Sequence, residues 1–191
     1  MSVQFGKINF DGKPVDVREL QQVRPLLEAY GPDGEGSLCN DNLAILYRAF
    51  HTTAESCRER QPYTGLSGAV ITWDGRIDNR GEVIEQLAWR RSEETSDLEI
   101  VAAAYQRWGT EAFARLIGDW ALSIWNPRDR SLILAKDFLG TRHLYYSVGK
   151  HEVAWCTILD PLVLFAGRAF ELEKEYIAGC LSFFPAIHLT P

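Results

Sequence analysis

The stretch that decides the fold reads Asp137-Phe138-Leu139-Gly140-Thr141-Arg142-His143-Leu144-Tyr145-Tyr146. Two apolar segments precede it, at residues 120–125 and 131–136, and an Asn-Pro-Arg-Asp turn signal separates them. Two more segments, at residues 144–148 and 152–156, flank Gly149-Lys150. Short apolar runs around such turn residues are typical of β-hairpins. The central stretch therefore predicts two consecutive hairpins of antiparallel strands.

The rest of the sequence alternates short strands with a few helices. Strands are predicted at residues 3–9, 36–39, 43–47 and 69–73, and Asp74-Gly75 after the last of them is a tight-turn signal. Helices are predicted at residues 17–29, 79–87, 96–108, 110–116 and 171–181, with a short one from residue 160 and loops over 52–64 and 93–95. Ser96 and Glu99 have the spacing of a capping box. This pattern predicts an α+β fold, with antiparallel sheets covered by helices on their outer faces.

The composition is that of a globular protein with an excess of acidic residues. Of the 191 residues 46% are hydrophobic, and 20 basic against 26 acidic side chains give a formal net charge of −6. This balance argues against a nucleic-acid or anionic-membrane surface, because both need a basic patch. The sequence shows neither an apolar run of the roughly 20 residues that cross a bilayer nor a signal peptide. We therefore expect a cytoplasmic protein.

The cysteines and histidines show no metal-ligand spacing. The cysteines stand at positions 39, 57, 156 and 180, and the histidines at 51, 143, 151 and 188. No C-x-x-C pair occurs, and a disulfide framework is not expected in a chain of this length without a secretory signal. We expect four reduced thiols and no metal site.

Three stretches, taken in order and spacing, resemble a known family. They are residues 73–79 (Trp-Asp-Gly-Arg-Ile-Asp-Asn), residues 96–99 (Ser-Asp-Leu-Glu) and residues 118–146, which end in the D-x-L-G-x-R-x-L-Y-Y pattern. Together they resemble the N-terminal glutaminase domain of the asparagine synthetase family, the class II glutamine amidotransferases. Gly31-Pro32-Asp33 and Gln61-Pro62 also fit, so the resemblance covers nearly the whole chain.

The resemblance implies a fold and a domain organisation. The fold is the αββα sandwich of N-terminal-nucleophile hydrolases, with two antiparallel sheets between helix layers. The glutaminase-like domain would occupy residues 1–182, and residues 183–191 would begin a linker to a C-terminal synthetase domain outside this chain. That partner domain would use ATP and magnesium, so we expect no cofactor in this chain. The family also suggests a homodimer.

The resemblance assigns the nucleophile position to Ser2. The family has a cysteine directly after the initiator methionine, and the free α-amino group left by methionine removal serves as the base. An α-amino pKa near 8 suits that role. A hydroxyl is a much weaker nucleophile than a thiolate, so Ser2 would be a less reactive replacement.

The glutamine pocket departs from the family pattern in further places. Phe50 stands where the family has a pocket arginine, although Arg48 is close enough for a register shift to matter. Asp74 replaces the oxyanion-hole asparagine, and an ionised carboxylate accepts hydrogen bonds but cannot donate them. Arg76 replaces the glutamate that holds glutamine. Gly75, and Asp97 at the position that pairs with the substrate ammonium, are retained.

Simpler interpretations of these residues stay open. Asp74-Gly75 could form only a hairpin turn, and Ser2 could be a disordered terminal residue. Arg76 could be a solvated charge at the end of a strand; if buried, it should pair with an acid, for which Asp97 and Asp74 are candidates.

The departures together predict impaired or lost glutaminase activity. The domain would then be a scaffold for an ATP-dependent, amide-forming synthetase half, as in the diverged branch that contains β-lactam synthetases and lasso-peptide cyclases. One alternative is an active amidohydrolase that uses Ser2 on glutamine or another amide. A second alternative is a peptide- or partner-binding module of a cyclase-like enzyme.

Overall fold

The computed structural model describes residues 1–89, 95–165 and 174–184. The strands are β1 (Val3–Asn9), β2 (Gly34–Asn40), β3 (Leu43–Ala49), β4 (Tyr63–Thr64), β5 (Val70–Gly75), β6 (Trp120–Asn126), β7 (Ser131–Lys136), β8 (Tyr145–Val148) and β9 (Glu152–Cys156). The helices are α1 (Val17–Glu28), α2 (Arg80–Gln86), α3 (Asp97–Trp108), α4 (Asp160–Phe165) and α5 (Lys174–Leu181). Two 3₁₀ segments, Ser56–Arg58 and Gly109–Arg115, complete the set in the described ranges.

The strands form two antiparallel sheets. The five-stranded sheet has the order β2-β3-β1-β9-β8, and the four-stranded sheet has the order β4-β5-β6-β7. Both predicted hairpins are present, since β6 pairs with β7 and β8 pairs with β9. β1 lies at the centre of the larger sheet, between β3 and β9. This central position fixes the residues at the start of the chain.

Each sheet packs against helices on one face and against the other sheet on the opposite face. On the five-stranded sheet, Phe5 packs with Leu20 and Val23 of α1 and with Leu162 of α4. On the four-stranded sheet, the core includes Trp73 and Trp120 with residues of α2 and α3. A third apolar cluster joins the sheets to each other. The predicted αββα sandwich is confirmed.

The space between the sheets is apolar at one end and polar at the other. The apolar end contains side chains from both sheets, which are Ile8, Leu43, Ile45, Val70, Trp125 and Trp155. Because side chains alternate along a strand, Gln4 of β1 and Thr72 of β5 continue the same inward-facing rows toward the polar end. Both are fully buried. The polar end is therefore an internal feature of the sandwich.

The prediction of a turn at Asp74-Gly75 is wrong. The two residues end β5 and pair with Ala121 and Trp120 of β6. A Cβ atom at position 75 would lie 2.5 Å from the Asp119 carbonyl oxygen and 2.5 Å from the Trp120 Cβ. Glycine is needed here because the neighbouring backbone approaches closely, and the ladder with β6 overrides the local turn signal.

The other local predictions hold with small changes. The capping box is present, and α3 ends before Gly109, which has a φ of 59°. The helix predicted at 110–116 is a 3₁₀ segment, and the loop predicted at 52–64 contains a 3₁₀ turn and the short strand β4. Residues 93–94, 171–173 and 185–191, which include parts of a predicted loop, helix and linker, lie outside the described residues.

The described ranges lack both a helix suited to cross a membrane and a side-chain cluster suited to hold a metal ion. In residues 1–89, 95–165 and 174–184, no helix has both the length and the apolar character of a membrane span. The same ranges contain no group of three or more histidine, cysteine or acidic side chains placed to hold a metal ion. The cysteines at 39, 57, 156 and 180 are free thiols.

Candidate active site

Ser2 lies at the polar end of the space between the sheets. It is 7% exposed, and its Oγ accepts a hydrogen bond of 3.0 Å from the Phe50 backbone N–H. The hydroxyl also lies 3.4 Å from the Phe50 carbonyl oxygen and hydrogen-bonds Tyr47. The interpretation of Ser2 as a disordered terminal residue is wrong, because the ladder beginning at Val3 anchors it.

Asp74 faces Ser2 from the opposite sheet. The residue is 4% exposed, and the Ser2 backbone N–H beside its carboxylate favours the ionised form. Burial raises the pKa of Asp74 to about 6, although the nearby charges of Arg142 and of the α-amino group of Met1 favour ionisation. A buried carboxylate thus stands beside the nucleophile position, where the resemblance leads one to expect a neutral amide donor.

A hydrogen-bonded network behind Ser2 contains a second, half-buried acid, Glu59. The Gln61 amide donates to the Tyr47 hydroxyl at 3.0 Å and to Glu59 at 2.9 Å, and its oxygen accepts from the Trp73 backbone N–H at 2.6 Å. Burial raises the pKa of Glu59 to about 7, and the charge of Asp74 adds to that rise. Sequence reasoning missed Glu59 because it lies in a polar segment without periodicity.

No guanidinium reaches this site from position 50, which is Phe50, or from Arg48. The Phe50 ring is 40% exposed, and only the backbone of that residue contacts Ser2. Arg48 pairs with Glu35 of β2 at 2.9 Å. Arg48 lies opposite Val3 in the ladder, so it shares the sheet face that packs against α1, away from the four-stranded sheet. The expectation that Arg48 could replace the pocket arginine is therefore wrong.

Asp97 is already paired within the protein. Its carboxylate forms an ion pair with Arg80 and accepts a hydrogen bond of 2.9 Å from the Ile77 backbone N–H. Arg80 also donates to the Thr95 carbonyl oxygen at 2.6 Å. The Asp97 carboxylate is 7% exposed. The position that the resemblance assigns to a substrate ammonium is thus occupied by the guanidinium of Arg80.

Arg76 is a solvated charge that directly follows β5, so the pairing with Asp97 or Asp74 expected of a buried arginine does not arise. Its side chain is 53% exposed and interacts with Asp78 at 3.3 Å and with Asp119 at 3.5 Å. Gly75 is the last residue of β5, as described above. Of the predicted site residues, the structure brings Ser2, Asp74 and the backbone of Phe50 together, and it directs Arg48 and Arg76 elsewhere.

A loop held by Asp137 carries Arg142 toward the same site. The Asp137 carboxylate accepts backbone hydrogen bonds from Trp120 at 3.1 Å, Leu139 at 2.9 Å and Thr141 at 3.1 Å. Burial disfavours its ionisation, but these donors outweigh burial and lower the pKa of Asp137. The loop ends in Arg142, whose charge acts on Asp74 and on the Met1 α-amino group.

Three surface cavities lie away from Ser2. Cavities of about 130 and 350 Å³ share Trp89 and the exposed side of α3. A cavity of about 590 Å³ lies between α1 and the β2–β3 hairpin. These positions are on the helix-covered faces of the sandwich, whereas the polar end is between the sheets.

The fold and the position of Ser2 at the start of a central strand define a sandwich of the N-terminal-nucleophile hydrolase type. Two solved structures share it. One is a glutamine phosphoribosylpyrophosphate amidotransferase from B. subtilis complexed with ADP and GMP, with 16% identity, a TM-score of 0.53, and coverage of 84% of this chain and 36% of that one. The other, described as the allosteric regulatory enzyme of purine biosynthesis, has 17% identity, a TM-score of 0.55, and coverage of 84% and 37%.

The chain belongs to the glutamine amidotransferase domain family, whose pattern it matches over residues 1–188. It is 28% identical to amidase chry2 of Gibberella zeae over 178 residues, which are 91% of this chain and 26% of that protein. It is 26% identical to a glutamine-hydrolysing asparagine synthetase of Bacillus subtilis over 167 residues, 86% of this chain and 26% of the relative. The chain thus spans about a quarter of the length of these relatives. The predicted class II amidotransferase domain of the asparagine synthetase family is confirmed.

Asp74 should make the stability of the domain depend on pH. Its pKa is about 6 in the folded protein, above the usual 3.8, so protonation favours the folded state. This stabilisation is complete below about pH 4 and is lost as the pH rises through 6. An Asp74→Asn variant lacks it. Relative to that variant, the wild-type free energy of unfolding should fall by about 2–3 kcal/mol between pH 4 and pH 7.5.

Urea unfolding at several pH values measures this difference. Glu59 titrates in both the wild type and the Asp74→Asn variant, so most of its contribution to the pH dependence cancels in the difference between them. Asp41→Asn, at an exposed position, is the matched control and should follow the wild type. Parallel stability curves for the wild type and Asp74→Asn would contradict a buried, ionisable Asp74.

Arg80 and Arg76 should differ sharply in their contribution to stability. Arg80→Gln leaves the buried Asp97 without its cation and should cost about 2–4 kcal/mol, below the full range for buried pairs because Arg80 is partly exposed. Arg76→Gln removes half-exposed ion pairs and should cost less than about 1 kcal/mol. Thermal and urea unfolding of the two variants provide the measurement. Equal losses would show that Arg80 is not the counter-ion of Asp97.

Proposed function

We propose that this domain does not hydrolyse glutamine and serves as the structural half of an ATP-dependent, amide-forming enzyme. The observation that carries the proposal is the Asp97–Arg80 ion pair. A carboxylate that is buried and already bound to a guanidinium is not free to receive a substrate ammonium. Binding glutamine there would require Arg80 to leave and lose its own pairing, at a cost of several kcal/mol.

The surroundings of Ser2 also argue against a nucleophile. Its backbone nitrogen donates to the Asp74 carboxylate. If Met1 were removed, that nitrogen would become an α-ammonium beside an acid, and an opposite charge raises the pKa of an amine. A protonated amine cannot act as the base that a serine hydroxyl needs. An ionised Asp74 would also repel a developing oxyanion.

The proposed partner is a synthetase half of the same polypeptide. The relatives include glutamine-hydrolysing asparagine synthetases that are about four times the length of the matched region. The strand β8 is an edge strand of the five-stranded sheet, and its Tyr146 and Val148 are 65% and 68% exposed on the face that elsewhere packs inward. Phe138 and Leu139, in the loop that leads to β8, are 102% and 82% exposed. Exposure of several large apolar side chains in one segment is typical of an interaction surface.

The ATP and magnesium of such an enzyme would bind in the synthetase half. The proposal gives no residue of the described ranges a role in binding ATP or magnesium. The placement within the branch of β-lactam synthetases and lasso-peptide cyclases, the linker over 183–191 and a homodimer stay predictions.

An ammonia assay tests the loss of glutaminase activity. Protein with Met1 removed, as verified by intact mass, should release no more ammonia from glutamine than the Ser2→Ala variant does. Calorimetry should detect no glutamine binding. A glutamine-hydrolysing relative serves as the positive control. Turnover by the wild type that Ser2→Ala abolishes would reject the proposal and favour the alternative of an active Ser2 amidohydrolase.

Substitution of the exposed loop tests the scaffold role. In the natural full-length polypeptide, Phe138→Ser combined with Leu139→Ser should loosen contact between the two halves and lower ATP-dependent amide formation at least tenfold. The control is Leu66→Ser, since Leu66 is 90% exposed on the α3 side of the molecule. It should leave the activity unchanged. Equal effects of the two changes, or no effect of either, would contradict this interface.

A further inference from the structure

Four buried polar atoms at the polar end lack a protein partner among the described residues. They are Gln4 Nε2, Thr72 Oγ1, Asp74 Oδ2 and Arg142 Nε. Gln4 and Thr72 are fully buried, and Asp74 is 4% exposed. An unsatisfied buried donor or acceptor costs about 1–3 kcal/mol, so four in one region call for a common explanation.

The four atoms belong to one neighbourhood. Thr72 pairs with Ser123 across the β5–β6 ladder, and the Ser123 hydroxyl donates to Gln4 Oε1 at 2.6 Å. Asp74 is two residues from Thr72 on the same strand, so both side chains point to the same face. Arg142 acts on Asp74 through its charge. Gln4 Nε2, Thr72 Oγ1 and Asp74 Oδ2 therefore line the region between β1 and β5, next to Ser2, and the buried Arg142 Nε belongs to the loop residue whose charge acts on Asp74.

The orientation of the Gln4 amide is fixed by its other contacts. The Trp155 indole N–H, which can only donate, lies 3.3 Å from Gln4 Oε1. The Ser123 hydroxyl donates to the same oxygen. Gln4 therefore presents its NH₂ group, and not its oxygen, to the unsatisfied region.

The hydrogen-bonding character of these four groups determines which kind of ligand they can bind. Gln4 and Arg142 supply donors, Asp74 supplies an acceptor, and the Thr72 hydroxyl can do either. A metal cation would be repelled by the two donors, and an anion would be repelled by Asp74. Water both donates and accepts, and a buried water typically makes about three hydrogen bonds to otherwise unsatisfied groups.

We propose that the polar end is a binding site for ordered water, which joins Asp74 to Arg142 and to the Gln4 amide beside Ser2. Arg142 is then a positioning residue that acts on Asp74 through this water. A neutral ligand completes the hydrogen bonds of the buried groups. This proposal does not depend on whether the domain hydrolyses glutamine.

A crystal structure of the wild-type protein at high resolution is the first test. Density for water is expected within about 3.2 Å of Asp74 Oδ2 and of at least one donor, Gln4 Nε2 or Arg142 Nε. Thr72→Val keeps the side-chain shape but removes the hydroxyl, and it should reduce that density. Direct protein contacts to these atoms, or a bound organic molecule in place of water, would overturn the proposal.

Titration of Asp74 by carbon NMR tests the role of Arg142. Arg142→Gln should raise the pKa of Asp74 above its wild-type value of about 6, by about one unit for the loss of a nearby opposite charge. Arg142→Lys should restore part of the shift. The Met1 α-amino group and Glu59 also act on Asp74, but they are present in every variant. Arg128→Gln, at the exposed tip of the β6–β7 hairpin, is the control. An unchanged pKa in Arg142→Gln would contradict the positioning role.

Discussion

A carboxylate inside a sheet sandwich must receive hydrogen bonds or take up a proton, and this constraint governs the region around Asp74. The residue lies between two sheets whose strands are fixed by continuous ladders, so it cannot move to solvent. The Ser2 backbone N–H favours its ionised form, but burial outweighs this and raises its pKa to about 6. The same contact ties the first residues of the chain to β5. Burial of Ser2 and an unfavourable setting for an oxyanion therefore have one common cause.

Asp97 meets the same constraint in a different way. It receives a full positive charge from Arg80 as well as a backbone N–H from Ile77. A buried ion pair is only weak evidence for stability, but removal of one partner is costly. The two buried acids are thus stabilised within the protein in two different ways. Asp74 lies beside a backbone donor and has a raised pKa, whereas Asp97 is paired with an internal cation.

The hairpins and helices follow from local sequence, whereas the site does not. The capping box of Ser96 and Glu99 and the Asn-Pro-Arg-Asp turn act within a few residues, so pattern reasoning identifies them. Asp74-Gly75 carries a turn signal, but pairing with β6, more than forty positions away, makes it a strand. Arg80 begins a short helix and carries no sign of its partner, which lies in the next helix. Glu59 and Gln61 are similar, since only the assembled sandwich buries them. The resemblance indicates which residues to compare with a glutamine site, but the partners of those residues depend on tertiary contacts.

The contrast between the interior and the surface bears on function. Between the sheets, positively charged and backbone groups of the protein already engage the acids that a substrate would use, so a ligand would have to displace them. At the β8 edge the opposite holds, because apolar side chains on an inward-facing row have no sheet opposite them in the described part of the chain. Free energy is available from covering that surface, at about 25 cal/mol per Å² of apolar area, while entry of a substrate between the sheets must first break existing pairs. This asymmetry is the physical basis of the proposal that the domain acts by association.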